Sequence, residues 1–191
     1  MKIAVLAIQG AFIEHEKKLE ALGAECFELR QKKDLDTGFD GLVLPGGEST
    51  VQGKLLRELD MFDALKEKIE SGMPVLGTCA GLILLADQLT NDGHVYFGTL
   101  PVSVCRNAYG RQLGSFRTVQ EFAGIGEVPM TFIRAPYIEE AKAGTQVLAE
   151  VDGHIVAVRS KNQFGMSFHP ELDADNRIHE LFLKTVEAWK G

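Results

Sequence analysis

Several features that mark whole classes of protein are missing from this sequence. No apolar stretch approaches the roughly 18 residues that a membrane-spanning helix needs. The apolar run at residues 3–8 is too short for a signal-peptide core, and no convincing small-residue cleavage site follows it. There is no Asn-x-Ser/Thr acceptor, no Cys-x-x-Cys, no internal repeat and no low-complexity tract. Cysteine is scarce, with Cys26, Cys79 and Cys105 odd in number and far apart, which speaks against a zinc ribbon or a disulfide framework. Long Lys/Arg runs are absent too, and 20 basic against 27 acidic residues give a net charge of −7. Binding to nucleic acid rests on neutralising phosphates, so this balance excludes it as the first expectation. The expectation is a cytoplasmic protein with reduced thiols and no membrane partner.

What is present suits one globular domain spanning 1–191. Hydrophobic residues make up 45% and charged residues 25% of the 191, ordinary values for a soluble globular protein. Residues 3–8 read as a strand buried on both faces, with further strands at 24–30, 42–44 and 75–76. Between them, Phe12, His15, Leu19 and Leu22 keep helical spacing, as do Leu55, Leu59, Phe62, Leu65 and Ile69, across one helix or two. Residues 82–86 are apolar all round, which suits a helix packed inside. Strands alternating with helices predict a parallel sheet with helices on both faces. After residue 93 the strand patterns at 99–105, 113–119, 130–134, 146–150, 154–159 and 164–168 predict an antiparallel extension and a small side sheet. Ile178, Leu181, Phe182, Val186 and Trp189 make the apolar face of a closing helix.

Ligands of open parallel sheets bind at the carboxyl ends of the strands. Four unusual segments fall there: Gln9-Gly10, Pro45-Gly46-Gly47-Glu48-Ser49-Thr50, Gly77-Thr78-Cys79-Ala80-Gly81 and His169-Pro170-Glu171. Gly-x-Cys-x-Gly between a strand and an apolar helix has the form of a nucleophile elbow with a thiol in place of a hydroxyl. A thiol at a helix N-terminus gains thiolate character, and the Ala80 N–H becomes a candidate oxyanion donor. An inert buried cysteine is the other reading of Cys79. Cys26 and Cys105 lie in strand patterns and are read as structural. His169 and Glu171 stand two apart, a spacing that puts both on one side of an extended chain, with Pro170 restricting His169. A carboxylate there could orient the imidazole; a solvated loop is the alternative. The remaining histidines lack metal-ligand spacing, and His15 is assigned to packing or the surface. The glycine loop fails the phosphate-loop pattern, since Lys54 is followed by Leu55. Its glycines allow close backbone approach to an anion or oxyanion, compatible with a turn before a helix capped by Ser49 or Thr50.

Taken together, the Gly-Thr-Cys-Ala-Gly elbow, the Pro-Gly-Gly-Glu-Ser-Thr loop and Phe168-His169-Pro170-Glu171 resemble class I, triad-type glutamine amidotransferases. Ala7-Ile8-Gln9-Gly10-Ala11, the stretch from Arg106 to Gln112, and Phe132-Ile133-Arg134-Ala135-Pro136 narrow the resemblance to the glutaminase subunits of pyridoxal 5'-phosphate synthase. It covers essentially the whole chain. It implies a flavodoxin-like three-layer α/β sandwich, and a triad of Cys79, His169 and Glu171. It also implies an L-glutamine site using Gly47, Glu48, Ser49, Arg106, Ile133 and Arg134, and an oxyanion site at Gly47 and Ala80. Gln9 matches a residue near that site and the partner contact. No cofactor and no metal are implied. The implied partner is a separate synthase subunit that consumes ammonia with a pentose phosphate and a triose phosphate, and the glutaminase is expected to be weak until docked. A cysteine hydrolase with the same elbow and a flavin-binding module are the competing classes. The His-Pro-Glu segment disfavours the first, and the missing phosphate motifs disfavour the second.

Overall fold

The computed structural model describes residues 1–106 and 114–189. The chain begins with β1 (Lys2–Leu6), α1 (Phe12–Ala21), β2 (Glu25–Leu29) and β3 (Gly41–Leu44). Two helices follow, α2 (Ser49–Glu58) and α3 (Phe62–Glu70), then β4 (Val75–Thr78) and the short α4 (Ala80–Leu85). The remaining elements are β5 (Ala86–Leu89), β6 (Leu100–Cys105), β7 (Ser115–Phe122), β8 (Gly126–Ile133), β9 (Tyr137–Ala141), β10 (Gln146–Val151), β11 (His154–Ser160), β12 (Gln163–Met166) and α5 (Arg177–Ala188).

Ten strands form one sheet, ordered β2-β1-β3-β4-β12-β11-β9-β6-β5, with β10 pairing β11. The run β2-β1-β3-β4-β12 is parallel throughout. Strand β11 is antiparallel to β12, β9 and β10, which makes the antiparallel extension. Strands β7 and β8 form a separate antiparallel ribbon. The result is the expected flavodoxin-like sandwich, with the side sheet as a distinct ribbon.

Alternation along the strands builds the two outer layers. Ala4 and Leu6 of β1, Leu42 and Leu44 of β3, and Val75 of β4 pack with Leu56, Leu65 and Ile69 of α2 and α3 and with Leu82 of α4. Their neighbours Ile3, Val5, Val43 and Leu76 face the other way, onto Leu19 of α1 and Ile178, Phe182 and Val186 of α5. The β7–β8 ribbon joins this second layer through Phe122, Val128, Met130 and Phe132.

The elements depart from the expected ones in four places. Ala86 begins β5 rather than ending the apolar helix, because its backbone pairs with Leu100 of β6. Strand β9 was not expected, since Glu139 and Glu140 interrupt its apolar pattern. Trp189 lies just past α5 and packs against the α3 side of the core. The helix after the glycine loop is not capped by Ser49 or Thr50: Glu48 is its N-cap residue, without a side-chain cap bond, and Ser49 and Thr50 are already helical.

Candidate active site

Strands β1, β3, β4 and β12 are neighbours and parallel, so the segments after them emerge together at one edge of the sheet. All four unusual loops of the sequence are these segments. The β1 and β3 loops are tied together: Ala11 N–H donates to the Gly46 carbonyl at 3.0 Å, and Glu48 N–H donates to Gln9 Oε1 at 2.8 Å. Buried Gln52, reaching back from α2, donates to the carbonyls of Gln9 at 3.0 Å and Pro45 at 3.2 Å.

Cys79 joins β4 to α4 with φ 48° and ψ −101°, a conformation that a side chain rarely adopts. The flanking glycines make the turn possible. A Cβ on Gly81 would stand 1.9 Å from the Leu44 carbonyl oxygen, so only glycine lets α4 start against β3. Cys79 N–H donates to the Met166 carbonyl at 2.7 Å, fixing the elbow to the end of β12. Ala80, buried, opens α4, where backbone N–H groups lack intrahelical acceptors.

His169 is anchored from the β7–β8 ribbon, donating its N–H to the Thr131 carbonyl at 2.8 Å. Its Nδ1 lies 2.6 Å from Glu171 Oε1, and its ring also hydrogen-bonds Cys79. Gly46 fits between them, since a Cβ there would meet His169 Cε1 at 2.3 Å and Cys79 Cβ at 3.4 Å. The extended backbone expected for His169 and Glu171 is not found. Glu171 lies in a 3₁₀ turn, Pro170–Leu172, with Pro170 at its start and Leu172 N–H donating to the His169 carbonyl at 3.2 Å. The turn still brings the carboxylate under the imidazole. All three side chains are nearly buried.

Burial alone would lower the pKa of His169. Its hydrogen bonds to Cys79 and Glu171 and their charges outweigh that and push it up to about 10. Burial acts to raise Glu171, but the imidazoles of His15 and His169 hold its carboxyl below the usual range. The surroundings of His169 therefore favour its imidazolium form, between Cys79 and the Glu171 carboxylate. By contrast, burial first, with Glu20 and Glu16 adding to it, pushes the Cys26 thiol up to about 12.

A cleft of about 370 Å³ opens over Cys79, lined by Gln9, Gly47, Glu48, Ser49, Arg106, Ile133, Arg134 and His169. Glu171 and Ala80 stand behind it. The Arg106 guanidinium donates to Asp92 Oδ2 at 2.5 Å and to Thr50 Oγ1 at 3.1 Å, and its backbone is paired with the Asn91 side-chain amide, which donates to the Arg106 carbonyl and accepts from its N–H. Asn107 to Gln112 lie outside the described residues. Arg134, with φ 43°, reaches Glu48 Oε1 at 4.0 Å across the mouth. Ile133 is exposed at the end of β8. Among the described residues no cluster of His, Cys, Asp and Glu is grouped to hold a metal, and no helix is long and apolar enough to cross a membrane.

Sequence reasoning passed over Gln52 and Thr78, and left His15 between packing and the surface. His15 is fully buried, with Nε2 3.2 Å from Thr78 Oγ1 and 3.3 Å from Glu171 Oε2. The spacing Phe12–His15–Leu19 already put it on the inner face of α1. Nothing local named its partner.

Residues 5–188 match the SNO glutamine amidotransferase family. The chain is 64% identical over 191 residues to a Desulfitobacterium hafniense protein named pyridoxal 5'-phosphate synthase subunit PdxT, covering 100% of this chain and 96% of that one. A Methanocorpusculum labreanum protein of the same name is 54% identical over 186 residues, covering 97% and 98%. A crystal structure of a glutamine amidotransferase superposes with a TM-score of 0.91 at 41% identity, covering 97% of this chain and 98% of that one. An elbow thiol paired with a carboxylate-backed imidazole, on a chain so similar to these proteins, places it: this chain belongs to the SNO glutamine amidotransferase family.

Proposed function

We propose that this protein hydrolyses L-glutamine to L-glutamate and ammonia and delivers the ammonia to the synthase subunit of pyridoxal 5'-phosphate synthase. The whole chain, 1–191, acts as one glutaminase domain in the cytoplasm. The observation that carries the reading is the continuous contact Cys79–His169–Glu171 at the floor of the cleft, in a chain similar along its whole length to proteins named as subunits of that synthase.

In this reading Cys79 Sγ attacks the side-chain carboxamide carbon of glutamine. The backbone N–H groups of Gly47 and Ala80 receive the oxyanion, an interaction worth about 3 kcal/mol for a single donor. An imidazolium at His169 is the counter-charge a thiolate nucleophile needs, and with Nδ1 held by Glu171 its Nε2 proton goes to the departing nitrogen. Ammonia leaves and a glutamyl thioester remains. Neutral His169 then takes a proton from water, the hydroxide attacks the thioester carbon, and glutamate and the thiol are restored. Arg106, Arg134, Glu48 and Ser49 surround the place where the α-carboxylate and α-ammonium of the substrate would sit, with Ile133 as an apolar wall and Gln9 bracing the glycine loop toward the partner.

The test is glutamate release from L-glutamine with the synthase subunit present. Cys79→Ala is expected to lower turnover by more than about a thousandfold. Turnover near wild type in that variant would reject the nucleophile.

A further inference from the structure

Behind Glu171 lies a chain of buried polar groups that the reaction as described does not use. Glu171 gives Oε1 to His169, while its Oε2 is buried and makes no aligned hydrogen bond among the described residues. His15 Nε2 stands 3.3 Å from that oxygen and 3.2 Å from Thr78 Oγ1. On its other side His15 Nδ1 lies 3.0 Å from His179 Nε2, on α5. Both histidines are fully buried.

Proton accounting gives the sequence one sense. A carboxylate oxygen in a buried site needs a donor, and going without one is costly. His15 Nε2 is placed to be that donor, with the Thr78 hydroxyl oxygen sharing its proton. A neutral His15 with its proton on Nε2 has a bare Nδ1, which can only accept. His179 must then donate through Nε2. Its Nδ1 has no hydrogen-bond partner among the described residues, as befits the end of the chain. Burial lowers the pKa of His15 and, further, that of His179, so both are neutral. The charged groups acting on His15 are Glu171 and His169 from the turn, and Glu14 and Lys18 from its own helix; His179 faces it from α5.

We propose that His15, itself fixed by His179, is a positioning residue that holds the second carboxylate oxygen of Glu171 and thereby keeps His169 directed at Cys79. This rests on the triad reading above, and is tested separately from it. Without His15 the Glu171 carboxylate loses its donor, protonates at higher pH, and ceases to support an imidazolium at His169.

The readout is alkylation of Cys79 by iodoacetamide against pH in the full chain, with peptide mass identification to separate it from Cys26 and Cys105. It needs neither glutamine nor partner. His15→Leu, checked for folding by its thermal transition, is expected to move the acid limb of the profile to higher pH. With the synthase subunit present it should lower kcat by about tenfold or more, with KM for glutamine little changed. His15→Gln carries an amide N–H near the Nε2 position and should restore most of both. His15→Asn places its amide toward His179 instead and should not. A folded His15→Leu with the wild-type acid limb and kcat overturns the proposal. If His15→Leu does not fold, equal profiles for the Gln and Asn variants overturn it, and the order Gln above Asn supports it. Failure of the triad reading would look different, as glutamate release surviving Cys79→Ala.

Discussion

Cys79 is held at φ 48°, ψ −101° by its neighbours rather than by its own preference. Backbone conformations of this kind cost about 1–3 kcal/mol each and persist where the surroundings over-determine them. Here those are the bond from Cys79 N–H to Met166 and the packing of α4 against β3. The strain is carried by a Cβ, and Cys79 is the N-cap residue of α4, a position where glycine is already preferred to alanine. Cys79→Gly should be more stable than Cys79→Ala by about 1 kcal/mol or more, because relief of the positive φ adds to the cap preference. Urea unfolding of the two variants measures it; an alanine variant as stable as the glycine variant would show that the elbow is unstrained. Of the site, this much was legible in the sequence, because Gly77, Cys79 and Gly81 are neighbours whose spacing alone describes a sharp strand-to-helix turn. His15 was not legible as more than an inward-facing residue. Helical spacing tells which way it points and says nothing of Glu171, which reaches it only after β12 has entered the sheet.

Helix α4 shows the same division among the elements. Its six residues are all buried, and the short apolar segment 82–86 reads equally as more helix. The chain instead turns at Ala86 into β5, and only the arrival of β6 beside it decides this. β9 escaped notice for the same reason: two glutamates on a strand that lies between β11 and β6 hide pairings that Ile155 of β11 and Val102 and Val104 of β6 supply. The 3₁₀ turn at 170–172 also depends on tertiary context, since proline there is compatible with extended or turned backbone. By contrast β1, β3, β4 and β12, the parallel strands whose loops meet at the site, were legible as apolar runs ending in glycine or polar loops. The joint that matters most is between α4 and β3. Gly81→Ala would drive a Cβ into the Leu44 carbonyl, backbone against backbone, where no flexible side chain can yield. Overpacking of this sort costs about 1–3 kcal/mol or more. The variant should lose thermal stability and, because α4 carries Cys79 and Ala80, glutamine turnover as well. A stable Gly81→Ala protein with intact turnover would mean that α4 can slide without moving the elbow.

Across the whole molecule, β12 comes late in the chain and inserts between β4 and β11, so the ends of the sequence are locked into one sheet. α5 then packs beside α1, and this is what seals His15 and His179 away from water. Two neutral histidines buried between these helices have a consequence for stability. In the unfolded chain a histidine titrates near pH 6.5. In the folded protein burial lowers both: at His15 it outweighs the opposing pull of the Glu171 carboxylate, and at His179, held well below that value, the charges of His15 and Lys18 act in the same direction. Below about pH 6.5 the unfolded chain therefore binds more protons than the folded one, and stability falls as pH falls, by up to about 1.4 kcal/mol per pH unit for each group. Glu171, whose folded pKa is depressed, contributes in the same direction at lower pH: its stabilisation is present above about pH 4.5 and is lost as pH drops through its folded value. His169 works the other way: held protonated in the folded state up to about pH 10 but titrating near 6.5 in the unfolded chain, it contributes stabilisation that is complete below about pH 6.5 and is lost as pH rises above it, so the rise due to His15 and His179 is confined to lower pH. Urea-unfolding free energies should thus rise steeply with pH between about pH 5 and pH 6 and level off toward pH 7, where the opposing loss from His169 sets in. His179→Leu keeps the α1–α5 seam apolar and removes one of the two groups, and should flatten that rise by up to about 1.4 kcal/mol per pH unit. A variant with the wild-type slope would mean that the seam between α1 and α5 opens to admit water and that His179 titrates as it does in the unfolded chain.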